Sequence, residues 1–429
     1  MSRIVRAVPR GTGSNLRFWL LGIVVTTLPM SGPVAASAYP LGGSVISRPI
    51  SPFSRPPFGS ARDMSSFTTS PFATCKWHIV TSPNAQADQN VFNAVAATSP
   101  SNAWAVGQTT NPNDGSIQPV AAHWSGGAWS LVPTPSLASA NLFGVKAMSA
   151  SDAWAVGTYY NPSVGHLQTL AEHWDGTSWT VVATPNVGSF ANLFNAVVAN
   201  STSDVWAFGF TGNGSGIRAT LTEHWNGSTW TVVPSPNMSG TDNTLTSGVA
   251  NTSTNVWAGG AFNCQTGSCQ TLTERWNGTK WKIVPSPNNN NLSNPINAMA
   301  SNGRNDIWAI GDWYTGSTFD TLAEHWNGTN WSIVTSPNTA LTALIGATAL
   351  NTSNVWAVGY YLNGSIYQPY SMNWNGSVWT TVFPAPVTTN GGYLTATAKI
   401  PGSTNLWAVG ASFNSDTSPH LTLIEKFHC

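Results

Sequence analysis

An all-β fold, a seven-bladed β-propeller of four-stranded antiparallel blades closed by the N-terminal strand, is predicted by three observations in this 429-residue sequence. The tetrapeptide W-A-x-G opens at Trp104, Trp154, Trp206, Trp257, Trp308, Trp356 and Trp407, at intervals of 50, 52, 51, 51, 48 and 51 residues. A period near fifty marks an array, a solenoid or a propeller. Asn-Gly or Asp-Gly recurs in most units between two apolar runs, a short-range hairpin signal. Finally, the two ends of the chain are complementary fractions of one unit, which a closed ring explains and a linear stack does not.

The unit spanning 193–237 carries four strand-like runs, "LFNAVVA", "DVWAFGF", "TLTEHW" and "TWTVVPSPN", here strands a to d. They are rich in β-branched and aromatic residues and separated by polar turns. The a–b connection is "NSTS", and the c–d connection is Asn226-Gly227, with Asp175-Gly176, Asn277-Gly278, Asn327-Gly328 and Asn375-Gly376 as its counterparts. Such pairs suit a tight turn because both central residues tolerate positive φ. Each unit is therefore read as a four-stranded meander. The Asn-Gly-Ser/Thr triplets also match a glycosylation acceptor, but turn chemistry accounts for them.

In the six complete units the strand-c and strand-d tryptophans lie five apart, as Trp225 and Trp230 do. The final unit stops at Phe427-His428-Cys429, whereas "CKWHIVTSPN" at 75–84 is a strand d with no strand c before it. Joining the two restores the five-residue spacing and sets Cys75 beside Cys429 in a c–d turn, so a disulfide is predicted there. Closing a loop of 355 residues corresponds to roughly 5–6 kcal/mol in the chain-entropy account, an upper bound. Cys264 and Cys269 share one b–c loop and are predicted to form the second bridge. Four cysteines in an exported chain suit two disulfides, and no C-x-x-C suggests a metal site.

Residues 1–38 read as a secretory signal peptide: Arg3, Arg6, Arg10 and Arg17, the apolar run "FWLLGIVVTTL", then "ASA". The apolar run is shorter than the ~20 residues of a membrane span. Residues 39–71 are rich in Pro and Ser and read as a disordered linker, leaving 72–429 for the propeller. Without the leader the chain has 12 basic and 16 acidic residues. An extracellular, mildly acidic monomer with no membrane span in its mature form is expected. The absence of any Lys/Arg cluster argues against nucleic acid as a partner.

Twenty of the 22 tryptophans occupy repeat positions and are expected to form the packing between blades. The five glutamates, Glu172, Glu223, Glu274, Glu324 and Glu425, all stand two residues before the strand-c aromatic, each followed by His, Arg or Lys. Spread around a ring, these pairs cannot converge on one metal or substrate, so they read as structural hydrogen-bonding pairs. No cofactor is expected. The Asp or Asn before the W-A-x-G strand reads as a turn cap.

The unit resembles the kelch and galactose-oxidase type of propeller repeat, in an apolar strand ending in Gly, a variable loop, and "W-x-x-V/L-x-x-P". It carries one Gly where that repeat usually has two, Gly259-Gly260 alone keeping the pair, and its Trp-Ala is similar to tectonin-like lectin repeats. The resemblance implies the strand-swapped closure. It brings no copper-radical chemistry, because the Tyr-Cys pair and clustered His are missing, and no sialidase box S-x-D-x-G-x-x-W occurs. Nor does any G-x-S-x-G, H-E-x-x-H or phosphate-loop motif.

In such a meander the a–b and c–d turns share one face and the b–c and d–a loops the other. The second face carries the variation and is the expected recognition surface. Candidate ligand-binding residues there are Tyr159, Tyr160, Phe262, Asp312, Trp313, Tyr314, Asp320, Tyr360 and Tyr361. Aromatic rings beside Asp and Asn suit a carbohydrate, whose apolar faces pack on rings while its hydroxyls need polar partners. A secreted binding or scaffold propeller for carbohydrate or another extracellular polymer is the leading reading, and Trp313, the only propeller tryptophan outside the repeat positions, its leading residue. The alternatives are a hydrolase or lyase using Asp114, Asp312, Asp320 or Asp416, and a protein-interaction adaptor.

Overall fold

The computed structural model describes residues 75–86, 89–111, 113–214, 216–339, 341–387, 390–413 and 420–429. The leader, the linker and Asp416 lie outside the described residues. The backbone forms seven four-stranded antiparallel sheets. Blade 3 typifies them, with strands a (Asn192–Ser201), b (Asp204–Gly212), c (Arg218–Trp225) and d (Trp230–Val232). Its c–d turn differs from the expected one. Only Gly227 takes positive φ, at 97°. Asn226 acts instead through its side chain, whose Oδ1 accepts the backbone N–H groups of Ser228 and Thr229.

The seventh sheet is ordered Lys76–Val80, His420–His428, Leu406–Phe413, Gly392–Lys399, so the N-terminal strand stands where strand d stands elsewhere. Trp77 faces Phe427 across the ladder as Trp230 faces Trp225. Both predicted disulfides are present, Cys75–Cys429 at this seam and Cys264–Cys269 in the b–c loop of blade 4.

The aromatic repeat makes the ring visible. Trp104 of blade 1 packs on Trp174 and Trp179 of blade 2, at centroid distances of 4.7 and 5.0 Å. The same arrangement recurs at each junction, with Phe427 replacing the strand-c Trp between blades 6 and 7, until Trp407 of blade 7 meets Trp124 and Trp129 of blade 1 at 4.9 and 5.2 Å. The strand-b rings are fully buried. A buried ring of this size contributes about 4–6 kcal/mol gross, before ordering entropy and as an upper estimate.

A second set of contacts runs nearer the axis. Strand a carries a bulge, and the bulged side chain reaches the next blade. Asn93, Asn195, Thr246, Asn297 and Thr395 each donate to a backbone carbonyl there, those of Leu142, Leu245, Ile296, Leu344 and Phe92, at 2.6–2.9 Å. Phe143 and Ile345 hold the same position and have no donor. At those two junctions the next residue is Gly144 or Gly346. A Cβ there would lie 3.1 Å from the Cα of Ala196 or 2.6 Å from that of Ala396, so absence of a side chain lets the blades meet directly.

Neighbouring residues in a strand point to opposite sides of the sheet, and this separates each glutamate from the basic residue after it. Nε2 of His173, His224 and His325 donates to Asp152, Asp204 and Asp306 at 2.8–2.9 Å, and each imidazole lies against the strand-b Trp, as His224 does on Trp206 at 4.4 Å. The residue before V-W-A, A-W-A or I-W-A is thus the partner of strand c rather than only a turn cap. The glutamates face the other way, into the junctions, where they are fully buried. Of the five, Glu425 has an oxygen that accepts a backbone N–H, that of Ala385 in the preceding blade at 2.9 Å. The corresponding residues before the other four are Pro135, Pro185, Pro236 and Pro287, which have no N–H to offer. Burial raises the carboxyls to about 8 for Glu172, Glu274 and Glu425 and about 9 for Glu223, with Glu324 well above the carboxylate range. These side chains are therefore uncharged at neutral pH.

Candidate functional site

Strand b places its last residues on the b–c/d–a face, and alternation divides them. Counting from the W-A-x-G glycine, the second residue after it turns toward the preceding blade. Tyr159, Phe262 and Tyr361 stand in this column and pack against the cores between blades. Tyr159 also donates to Gln168 Oε1 at 3.0 Å, and Tyr361 lies 5.6 Å from Phe383. Trp313 shares the column, is half-buried, and has Asp320 opposite it in the ladder. Asp320 is raised by burial.

The first and third residues after the glycine turn the other way, toward the following blade. Among them, Tyr160 contributes a backbone N–H to Ala138, and Tyr314 folds onto its own hairpin, donating to the Gly316 carbonyl at 2.9 Å with its ring 5.1 Å from Phe319. Asp312 and Tyr360 are different. Asp312 is buried, accepts from Asn297 Nδ2 at 2.8 Å, and is pushed up to about 7 by burial, which the Asn297 bond partly offsets. The Tyr360 hydroxyl is raised by burial and further by the nearby Asp312, Tyr367 and Tyr393.

Blades 5, 6 and 7 thus bring one carboxyl and three phenols together at the entrance on this face. Tyr367 meets Tyr360 edge to face at 5.1 Å. Tyr393, the second residue of strand a in blade 7, is raised to about 12 by burial. Its ring stands 5.8 Å from Phe413 and 6.4 Å from His420, whose imidazole is lowered by burial. The d–a loop is held here by Gly391, at φ 89°, because a Cβ would come within 2.2 Å of the Tyr367 carbonyl.

Of the nine predicted residues the structure gathers Asp312 and Tyr360. Tyr159, Tyr160 and Phe262 lie in other blades, and Trp313, Tyr314, Asp320 and Tyr361 flank the cluster. Tyr367 and Tyr393 escaped sequence reasoning. Tyr393 lies before the repeat's most regular stretch, and only ring curvature carries it to Tyr360. Among the described residues the candidate aspartates do not assemble into a pair: Asp114 is exposed in blade 1, and Asp312 and Asp320 project from opposite sides of one sheet. No group of three or more His, Cys, Asp or Glu among the described residues could hold a metal ion. No helix among them is long and apolar enough to cross a membrane.

No protein-family model matches the sequence, and no curated protein matches it. Solved structures do. YCF48 from Cyanidioschyzon merolae aligns over 82% of this chain and 98% of its own, with a TM-score of 0.51 and 14% identity. An ulvan lyase, a polysaccharide lyase solved with a bound saccharide, aligns over 79% and 94%, at 0.51 and 11%. The fucose-binding lectin of Aleuria aurantia aligns over 74% and 97%, at 0.43 and 16%. At these identities the likeness is one of fold.

Proposed function

We propose that this chain is an exported binding propeller that takes a carbohydrate or a similar extracellular polymer on its b–c/d–a face, at the cluster of Asp312, Tyr360, Tyr367 and Tyr393. The observation that carries this reading is that cluster: phenol rings at an open end of the ring of blades, beside a carboxyl held near neutrality. Rings stack on the apolar face of a sugar, while phenol and carboxyl oxygens exchange hydrogen bonds with its hydroxyls. Trp313 extends the aromatic surface on the neighbouring side of blade 5. The leader and the two disulfides support an extracellular setting, and the W-A-x-G and W-x-x-V columns support a place beside kelch-type and tectonin-like propellers.

The test is a glycan array probed with the protein exported by its own leader, together with Tyr393→Ala and Trp313→Ala. A bound glycan that Tyr393→Ala no longer retains, with Trp313→Ala weakened less, is the expected result. Absence of any bound glycan, or full retention by Tyr393→Ala, defeats the reading.

A protein partner on the same face is the second reading. Val164, Val187, Phe190, Ile217, Met238 and Leu292 stand exposed on its loops in blades 2 to 5, and exposed apolar side chains in one region favour contact with another protein. A Phe190→Asp variant that captures the same extracellular proteins as the natural chain would discard it.

A further inference from the structure

The opposite, a–b/c–d mouth of the ring holds an open cavity of about 500 Å³, lined where strands a of blades 4 to 7 end, by Asn251, Ser301, Asn302, Asn351, Thr352 and Lys399 among others. Its lining is organised. Ser301 Oγ donates to Asn251 Oδ1 across the junction of blades 4 and 5 at 2.6 Å. Asn302 Nδ2 donates to Asp306 Oδ2 at 3.2 Å, and the other oxygen of Asp306 takes His325. In blade 3, Asn200 and His224 engage Asp204 in the same way. The carboxylates near this mouth are thus occupied by amides and imidazoles.

Two lysines stand near this end of strand a with no carboxylate paired to either among the described residues, Lys399 in the cavity wall and Lys146 outside it. Lys399 is exposed within the cavity. Lys146, on strand a of blade 2, is half-buried, and its ammonium is lowered by burial and by the charge of Lys399. Lys146 thus feels the charge of Lys399, although the two arise from blades 2 and 7. Both interrupt an otherwise uncharged column of strand a. Lys146 stands where other blades have Ala96, Val198, Val249, Ala300, Thr348 and Ala398, and Lys399 where they have Ala97, Ala147, Ala199, Ala250, Ser301 and Ala349. Uncharged side chains from Ala to Val meet the packing at those places in every other blade, so packing does not explain a lysine.

We propose that this cavity is an oxyanion-binding site, in which Lys399 in its wall, with Lys146 beside it, supplies the charge and the Asn351 and Thr352 side chains the surrounding polar contacts. An anion bound near the two ammonium groups would offset the burial and the repulsion that lower Lys146 and would gain charge-assisted hydrogen bonds. Sulfate, phosphate and a carboxylate such as that of a uronic acid share this chemistry. The site is remote from the Asp312 cluster and stands or falls independently of it.

The experiment is calorimetric titration of the exported full protein with sulfate, phosphate and glucuronate, each at constant ionic strength set with chloride. Lys399→Gln, Lys146→Gln and, as a surface control, Lys280→Gln are titrated alongside. Saturable binding of at least one of the three is expected, weakened about tenfold or more by Lys399→Gln and by Lys146→Gln and unchanged by Lys280→Gln. The anion preferred among the three identifies the source. No saturable binding of any of them, or equal binding by natural protein and Lys399→Gln, overturns the proposal. Lys399 is exposed, so its variant decides the matter even if Lys146→Gln does not fold.

Discussion

The two faces of the ring divide its labour unevenly. On the a–b/c–d face six blades close strands c and d with a turn whose Gly takes positive φ, most repeat the same imidazole-to-Asp or Asn contact, and the seam of the seventh is sealed by Cys75–Cys429. On the b–c/d–a face the loops differ beyond a shared Asn that opens most d–a connections, the second disulfide closes a single loop, and half-buried phenols of blades 6 and 7 gather beside a carboxyl of blade 5. The repeated face holds the ring together and the irregular face is available for recognition. The exception instructs most: Lys146 and Lys399 are departures from pattern on the regular side. Chemistry is to be sought where a column breaks its own rule, not only where loops vary.

The largest expected effect separates the two disulfides. Cys75→Ser with Cys429→Ser should lower unfolding free energy by up to about 6 kcal/mol, whereas Cys264→Ser with Cys269→Ser, which opens a loop of six residues, should lose about 2 kcal/mol at most. Denaturant titration reads both. Equal losses would erase the distinction between a closing seam and a local staple. The tryptophans come next. Trp206→Ala, which empties a junction, should cost about 3–5 kcal/mol, while Trp313→Ala should stay within about 1 kcal/mol. If Trp313→Ala destabilises as much, that ring belongs to the core and not to a recognition surface.

A smaller and graded effect is expected from pH. The buried glutamates have folded-state values raised to about 8 or 9, against 4.5 as the ordinary value. Between those limits the folded chain holds more protons than the unfolded one. Stability is therefore fullest below about pH 4.5 and declines as pH rises through 8. Melting temperatures across pH 4–9 should fall accordingly, and Glu223→Gln should flatten the slope, since the amide keeps the shape without titrating. A profile that rises over that range would mean the carboxyls are ionised and partnered.

The ring, its closure and both cysteine pairs were legible because each depends on spacing: a period near fifty, a five-residue gap, and two half-units that fit. Side-chain partnership was less so. Glu223 and His224 are adjacent in sequence and were read together, yet the pleat sends one into a junction and the other to Asp204. Proline before four of the glutamates was visible from the start, but its meaning, a missing N–H opposite a buried carboxyl, required the neighbouring blade. The site suffered similarly. Asp312 and Tyr360 were named among nine residues, but Tyr393 lies 33 positions beyond Tyr360 and joins it only through the turn from one blade to the next. Lys146 and Lys399 could have been noticed by aligning strand a in all blades, since each stands alone against a column of small or uncharged residues.

Because the bond between Cys75 and Cys429 replaces the peptide link that the final turn lacks, the folded domain is covalently a circle with no true first or last blade. One protease cut in any loop would then leave a single molecule, still joined on the far side, and the fragments would part only under reducing conditions. New ends could be opened at another c–d turn and the old ones fused with little change in the ring. In the extracellular setting proposed above, tolerance of a first cut would be a durability that no single blade could provide.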